Sequence, residues 1–409
     1  MKRYFFWMLF ASGLGFSKVL ALAQIMTPAN LGSYVSVIGI AVLSGTLLSF
    51  GQIEGTTKYY PRLWLSRDYA RITDSVKVIA AKLGIRFALA TVVGAVAMVV
   101  FKLDNPIITA VVAGGIGLCS AYLALAASLL RAAENANVLQ AFNLVRNSTA
   151  IILACLGGWF FGWNGAMLGD LVAAAASLLY AIVSIRLLFA EHVDAQAIEL
   201  QPETASKTGG GKLYLAYLLS SSTQLLDRGA INLILGAAAA GSYGIVALMF
   251  QVGQLVINIF AQRAGPRVIK SARTNALGSG RIESVRKPVL GMAALSIAVA
   301  CAMLTARALD LPSGFFERYQ ISWLAIVFGG GVCFMQIFSL LEFHLIAHDR
   351  EKDVLLASAI ATATMTGLFG AAWYFGFALE WFILAVLVAR TLHAAILWRM
   401  MNDPRVASE

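Results

Sequence analysis

Charge is what this chain has least of. Of 409 residues, 13% are Asp, Glu, Lys or Arg and 59% are hydrophobic, whereas a soluble domain carries about 25% charged and 45–50% apolar residues. A soluble globular chain is therefore excluded, and no large water-exposed domain is left once the apolar runs are set aside. Cysteine is scarce too. Cys119, Cys155, Cys301 and Cys333 lie inside apolar runs without paired spacing, so neither a disulfide framework nor a zinc site is indicated. There is no phosphate-binding glycine loop, no His-Glu-x-x-His and no Gly-x-Ser-x-Gly, so an enzyme is not expected and no cofactor is implied.

What is present is a succession of apolar runs. A membrane-spanning helix needs about 20 mainly apolar residues to cross about 30 Å of hydrocarbon. On that rule the sequence predicts an all-α polytopic membrane protein of about twelve spans, at 4–26, 34–60, 79–101, 107–130, 137–161, 166–190, 212–235, 242–262, 288–309, 320–346, 354–377 and 379–400. The start, Met1-Lys2-Arg3 before Tyr4–Phe16 and Ala21-Leu22-Ala23, resembles a secretory signal. Lys18 interrupts that run, however, and the apolar stretch continues to Met26, so an uncleaved first span is expected. With both termini in the cytoplasm, most of the 31 Lys and Arg residues fall in the termini and the cytoplasmic loops, and only Lys102, Arg307 and Arg318 fall opposite. The net charge of +10 is thereby explained without a nucleic-acid partner.

The chain also repeats itself. Gly32-Ser33-Tyr34 between two apolar runs recurs as Gly241-Ser242-Tyr243 between two more. The same offset sets Lys18 opposite Asp227-Arg228, and Glu54 and Lys58 opposite Arg263 and Arg267. This predicts two halves of six spans, 1–190 and 212–409, joined by a polar cytoplasmic linker at 191–211. An even number of spans per half makes the repeat parallel.

Basic residues within spans, at Lys18, Lys58, Arg86, Arg146, Arg228 and Arg390, cost about 2.5–3.5 kcal/mol each at a helix centre, so a wet interior is expected to receive them. Polar stripes at helical spacing agree: Gln140, Asn143, Arg146 and Asn147; Ser220, Thr223 and Asp227 beside Ser221, Gln224 and Arg228; Gln251, Gln254, Asn258 and Gln262. Lys18, Arg146, Arg228, Lys58, Arg86, Asn143, Gln251 and Asn258 are the candidate substrate contacts, and Asp227 and Glu54 the candidate coupling acids. Plainer roles stand beside these: Lys58 and Arg86 snorkelling to headgroups, Glu54 pairing with Lys58, Asp227-Arg228 holding the bundle together, and Arg390 serving helix packing near His393. His344 and His348 have a metal-ligand spacing, but interfacial solvation explains them better, and no metal is expected.

The stretch Ile25-Met26-Thr27-Pro28-Ala29-Asn30-Leu31-Gly32-Ser33-Tyr34 resembles the Leu-Gly-Pro-x-x-x-Gly-x-Tyr turn that opens bacterial polysaccharide export proteins, and Asp227-Arg228, Leu235-Gly236 and Gly241-Ser242-Tyr243 resemble the opening of their second half. These are the O-antigen flippase branch of the MOP superfamily, related to MATE exporters; Thr27 departs from the usual Gly. The resemblance implies a V-shaped bundle of two six-helix lobes in the bacterial inner membrane. It would move an undecaprenyl-pyrophosphate-linked oligosaccharide from the cytoplasmic to the periplasmic leaflet by alternating access, with possible coupling to H+ or Na+. Membrane lipids and other polysaccharide assembly proteins would be its partners. A cation-coupled multidrug exporter of the same fold is the rival, and it predicts a negative cavity. A membrane polysaccharide polymerase is a third reading, disfavoured because the longest expected periplasmic loop, near 310–319, is short.

Overall fold

The computed structural model describes residues 2–100, 105–133, 136–190, 210–273, 281–347 and 350–401. Most of the expected linker at 191–211 lies outside the described residues, as do His348 and the side chain of His344. Among the described residues the chain is helical throughout and has no strand. The helices are α1 (Lys2–Ile25), α2 (Pro28–Ser49), α3 (Gln52–Leu65), α4 (Tyr69–Val100), α5 (Pro106–Ala132), α6 (Ala136–Ala190), α7 (Gly210–Leu235), α8 (Ala237–Arg273), α9 (Arg281–Ala308), α10 (Phe315–Arg318), α11 (Trp323–Met335), α12 (Leu340–Ala347), α13 (Glu351–Tyr374) and α14 (Leu379–Met401). Nine of the described helices are long and apolar enough to cross a membrane, and every one of the twelve expected spans contains helix.

Local chemistry explains where helices start and stop. Thr27 caps α2: its hydroxyl accepts the Asn30 amide at 3.3 Å, and Pro28 follows at the first helical position, where a missing N–H costs nothing. Ser322 caps α11 in the same way, accepting from Ala325 at 3.1 Å. Gly162 takes φ 62° and ψ −149° inside α6, a conformation open to glycine, and so divides α6 into two limbs. Two expected spans are interrupted. The second breaks at Phe50 and Gly51, both with positive φ, into α2 and α3. The tenth passes from α11 through a 3-10 turn at Gln336–Ser339 into α12. The first break falls at Gly51, whose glycine allows bending, and the second falls between Gln336 and Ser339.

The outer faces are apolar, as a lipid solvent requires. Along α4, Ile85, Leu89, Val92, Val93, Val96 and Val100 are all exposed, and their three- and four-residue spacing places them on one stripe.

The chain divides into two compact units, one of residues 1–26 and 34–221 and the other of residues 27–33 and 222–409. In the first unit, α1 packs along α6 and α5 lies between α4 and α6. Its core holds Tyr60, Ile72, Leu83, Phe87, Leu125 and Leu129. Trp64, Tyr69 and Phe189 meet edge to face beside it. In the second unit, α11 packs on α8, α9 and α14, and α13 pairs with α14, where Phe369 and Phe382 meet with ring centroids 5.0 Å apart. The first turns of α2 and α8 also cross within this unit. A Cβ on Gly32 would overlap the Ala237 carbonyl oxygen, and one on Gly241 would overlap that of Pro28. The two glycines of the repeated Gly-Ser-Tyr thus allow one reciprocal close approach.

Candidate functional site

Each unit buries a charged cluster, and each cluster is built around the tyrosine of its Gly-Ser-Tyr. In the first unit Tyr34 is brought inward by the first turns of α2, and its hydroxyl donates to Asp170 Oδ2 on the second limb of α6. Lys18 on α1 donates to both carboxylate oxygens of Asp170, at 2.8 and 3.0 Å, and its Nζ lies 5.7 Å from the centre of the Tyr34 ring. Three helices thereby converge on one buried carboxylate, which is satisfied by an ammonium and a phenol. Arg146, on the first limb of α6 and half-buried, lies within electrostatic reach of Asp170. Its neighbour Asn147 donates to the Ala11 carbonyl of α1 at 2.8 Å.

In the second unit Tyr243 on α8 donates to Asp227 Oδ2 on α7, while Asp227 Oδ1 accepts the Arg228 amide at 2.7 Å. Arg390 on α14 donates to Thr223 Oγ1 at 3.1 Å and lies within electrostatic reach of Asp227 and Glu342. Glu342 is 3.7 Å from His393 Nε2. A cavity of about 80 Å³ opens among these residues, lined by Asp227, Arg228, Arg390, Thr223 and the amides of Gln224, Gln251, Gln254 and Gln336. Among the described residues no group of three or more His, Cys, Asp or Glu side chains could hold a metal ion.

The expected site residues fall into three sets. Lys18 and Arg146 cluster in the first unit, and Asp227, Arg228 and Gln251 in the second. Arg86, Glu54 and Asn143 make local contacts. The Arg86 guanidinium donates to the Leu48 and Ser49 carbonyls, at 3.0 and 3.4 Å, and to Gln52 Oε1 at 3.2 Å, and it lies 4.7 Å over the Phe50 ring. It therefore caps the carbonyl end of α2 at the break before α3. Glu54 accepts from Ser49 at 3.1 Å in the same corner, and Asn143 donates back to Leu139 on its own helix at 2.9 Å. The side chains of Lys58 and Asn258 lie outside the described residues. Tyr34, Tyr243 and the central place of Asp170 were missed. The repeated Gly-Ser-Tyr was the available signal, read as a turn although its tyrosine is the working residue. Arg390, expected to serve packing, lines the cavity together with Gln254 and Gln336.

No protein-family model matches the chain, and no curated protein matches its sequence. Solved structures do match it in three dimensions. A mutant MATE crystal structure aligns with TM-score 0.67 at 14% identity, over 99% of this chain and 95% of that one. A mutant of the Vibrio cholerae MATE transporter VcmN aligns with TM-score 0.63 at 15% identity, over 100% and 96%. The outward-facing conformation of a multidrug resistance MATE family transporter of the MOP superfamily aligns with TM-score 0.60 at 14% identity, over 95% of each chain. The protein is thus an all-α, multi-pass membrane protein. Its particular architecture is the one found in MATE transporters of the MOP superfamily.

Proposed function

We propose that the protein is a membrane transporter that moves an anionic, lipid-linked oligosaccharide from the cytoplasmic to the periplasmic leaflet of the bacterial inner membrane, with undecaprenyl pyrophosphate as the lipid carrier. The observation that carries this reading is a guanidinium in each unit that no carboxylate takes up. Among the described residues the Arg146 guanidinium makes neither a hydrogen bond nor an ion pair, and the Arg390 guanidinium makes one hydrogen bond, to Thr223, and no ion pair. The first cluster sets Lys18 and Arg146 against Asp170, and the second sets Arg228 and Arg390 against Asp227 and Glu342, with no carboxylate among the described residues in ion-pair contact with Arg146 or Arg390. Guanidinium forks match phosphate and carboxylate geometry, and a guanidinium held inside the bundle with no carboxylate in direct contact is costly enough that an anionic substrate is the fitting partner. Asp227 and Glu54 are the acids through which H+ or Na+ coupling would run, and Gln251 and Arg228 the contacts a passing sugar would meet.

Alternating access is supported by the fold. An outward-facing and an inward-facing conformation of a multidrug resistance MATE family transporter align with this chain at TM-scores 0.60 and 0.61. The same neighbours favour a second reading, export of cationic drugs, since they include multidrug resistance transporters. Depletion in the native host separates the two. Lipid-linked glycan accumulating on the cytoplasmic leaflet is the expected result; normal surface glycan with raised drug sensitivity would establish efflux instead.

A further inference from the structure

The second unit contains a buried cation that its own protein partners leave incomplete. Arg390 is 7% exposed, and of the donors on its guanidinium one is used, by Thr223 Oγ1 at 3.1 Å. The nearby carboxylates do not close the account. Asp227 already accepts from Tyr243 and from the Arg228 amide, and Glu342 faces His393 and does not line the cavity. No carboxylate oxygen among the described residues comes within ion-pair distance of Arg390, whereas Lys18 in the first unit has both oxygens of Asp170. Gln336 presents a side-chain oxygen that has no partner although the residue is only 3% exposed. Both side chains line the same cavity of about 80 Å³.

We propose that this cavity is a binding subsite for a small oxyanion that also carries a hydroxyl, the chemistry shared by an acidic sugar unit and a hydrogen phosphate group. Arg390 supplies the fork for the oxyanion, with Arg228 beside it as second positive charge. Gln336 accepts the hydroxyl. Asp227 lines the same cavity, but its two oxygens accept from Tyr243 and the Arg228 amide and it makes no ion pair with Arg390. A water molecule needs about 10–15 Å³ of such space, so the cavity has room for a carboxylate or phosphate group and too little for a long oligosaccharide. The charged end of the substrate would enter first while the rest of the glycan lies outside. For its biological role the subsite rests on the anionic-substrate reading; as a binding site it stands on the geometry of the second unit.

The test uses the purified full-length protein in lipid nanodiscs, titrated with glucuronate, inorganic phosphate and chloride at constant ionic strength, with binding read by calorimetry and by the shift in thermal unfolding. Glucuronate or phosphate is expected to bind at least tenfold more tightly than chloride. Binding of glucuronate alone assigns an acidic sugar as the source, and binding of phosphate alone assigns a phosphate group; both support the subsite. Arg390→Gln is expected to weaken oxyanion binding at least tenfold and Gln336→Leu several-fold. Gln336→Leu removes no charge and keeps the test available should Arg390→Gln fail to fold. Equal affinity for the three anions, binding of none, or wild-type affinity in both variants overturns the proposal. Oxyanion binding without trapped lipid-linked glycan on depletion would remove the flippase reading and leave the subsite, and the converse would remove the subsite alone.

Discussion

The two units use one set of helices to hold opposite arrangements of charge. In the first, the cation stands on the opening helix and the anion on the closing one, Lys18 on α1 and Asp170 on α6. In the second the order is reversed, with Asp227 on the opening helix α7 and Arg390 on the closing helix α14. The phenol that fixes the carboxylate comes from the same repeat position, Tyr34 and Tyr243, each donating to its Asp. The inversion changes what the cluster can do. In the first unit ammonium and carboxylate meet at 2.8 Å and close on one another. In the second, the longer guanidinium is anchored on Thr223 and bounds a cavity in place of closing it. The two Gly-Ser-Tyr tyrosines make the same latch, while the carboxylate of the first unit closes on an ammonium and that of the second borders a cavity.

Breaking the sealed pair should produce the largest effect. Removing one partner of a buried ion pair costs about 3–5 kcal/mol because the other is left uncompensated. Asp170→Ala is therefore expected to lower stability by that amount, read as denaturant unfolding or as loss of folded yield in detergent. The double exchange Lys18→Asp with Asp170→Lys restores most of the loss, since the contact is direct. The corresponding exchange Asp227→Arg with Arg390→Asp restores little, because those two residues are not in contact. Equal rescue in the two units would dissolve the distinction between them.

The tyrosine latches should separate the units next. A hydrogen bond to a charged group contributes about 1.5–3 kcal/mol. Tyr243→Phe is expected to cost the larger share of that range, since Asp227 then keeps only the Arg228 amide, whereas after Tyr34→Phe Asp170 still holds Lys18 through both oxygens. Thermal unfolding of the two variants side by side measures the difference. The repeat also makes a symmetric prediction. Gly32→Ala and Gly241→Ala push a methyl group into a facing backbone carbonyl, and overpacking of this kind costs about 1–3 kcal/mol, so the two should fall by similar amounts.

How much of this the sequence carried depends on the range over which each feature is encoded. The spans were legible because a run of apolar residues is a local property, and the repeat was legible because Gly-Ser-Tyr is compact enough to recur intact. The Tyr34–Asp170 bond joins residues 136 positions apart, and no periodicity reports a pairing made by tertiary packing alone. Asp170 was therefore only counted among the acids within spans, and its pairing with Lys18 was not seen. The breaks at Phe50-Gly51 and at Gln336–Ser339 were hidden for the opposite reason. Hydropathy averaged over a span is insensitive to φ, so the polar residues beside the breaks, Gln52 and Glu54 at the first and Gln336 and Ser339 at the second, did not place them. Arg390 was read as a packing residue because its surroundings are apolar in sequence, while the glutamines that make its cavity polar come from α8 and the turn after α11.

The smallest expected effect concerns the basic residue whose structural role departs furthest from the substrate contact expected of it. Arg86 donates to the Leu48 and Ser49 carbonyls at the end of α2 and to Gln52 Oε1, and stacks over Phe50, so all its visible work is structural. A cation at a helix C-terminus contributes about 0.3–1 kcal/mol, and Arg86→Met, which keeps the apolar stem, should cost that much in thermal unfolding. The comparison with Arg390 is then direct. Both are arginines on apolar helices and both touch few protein acceptors with charge, but one ends on backbone carbonyls and the other on a cavity. Arg86→Met is expected to leave oxyanion affinity where it was in the nanodisc titration, and Arg390→Gln to lose it. Should Arg86→Met weaken that affinity as strongly as Arg390→Gln, oxyanion binding would not be specific to the Arg390 cavity, and the distinction between an arginine that ends on carbonyls and one that ends on a cavity would have to be redrawn.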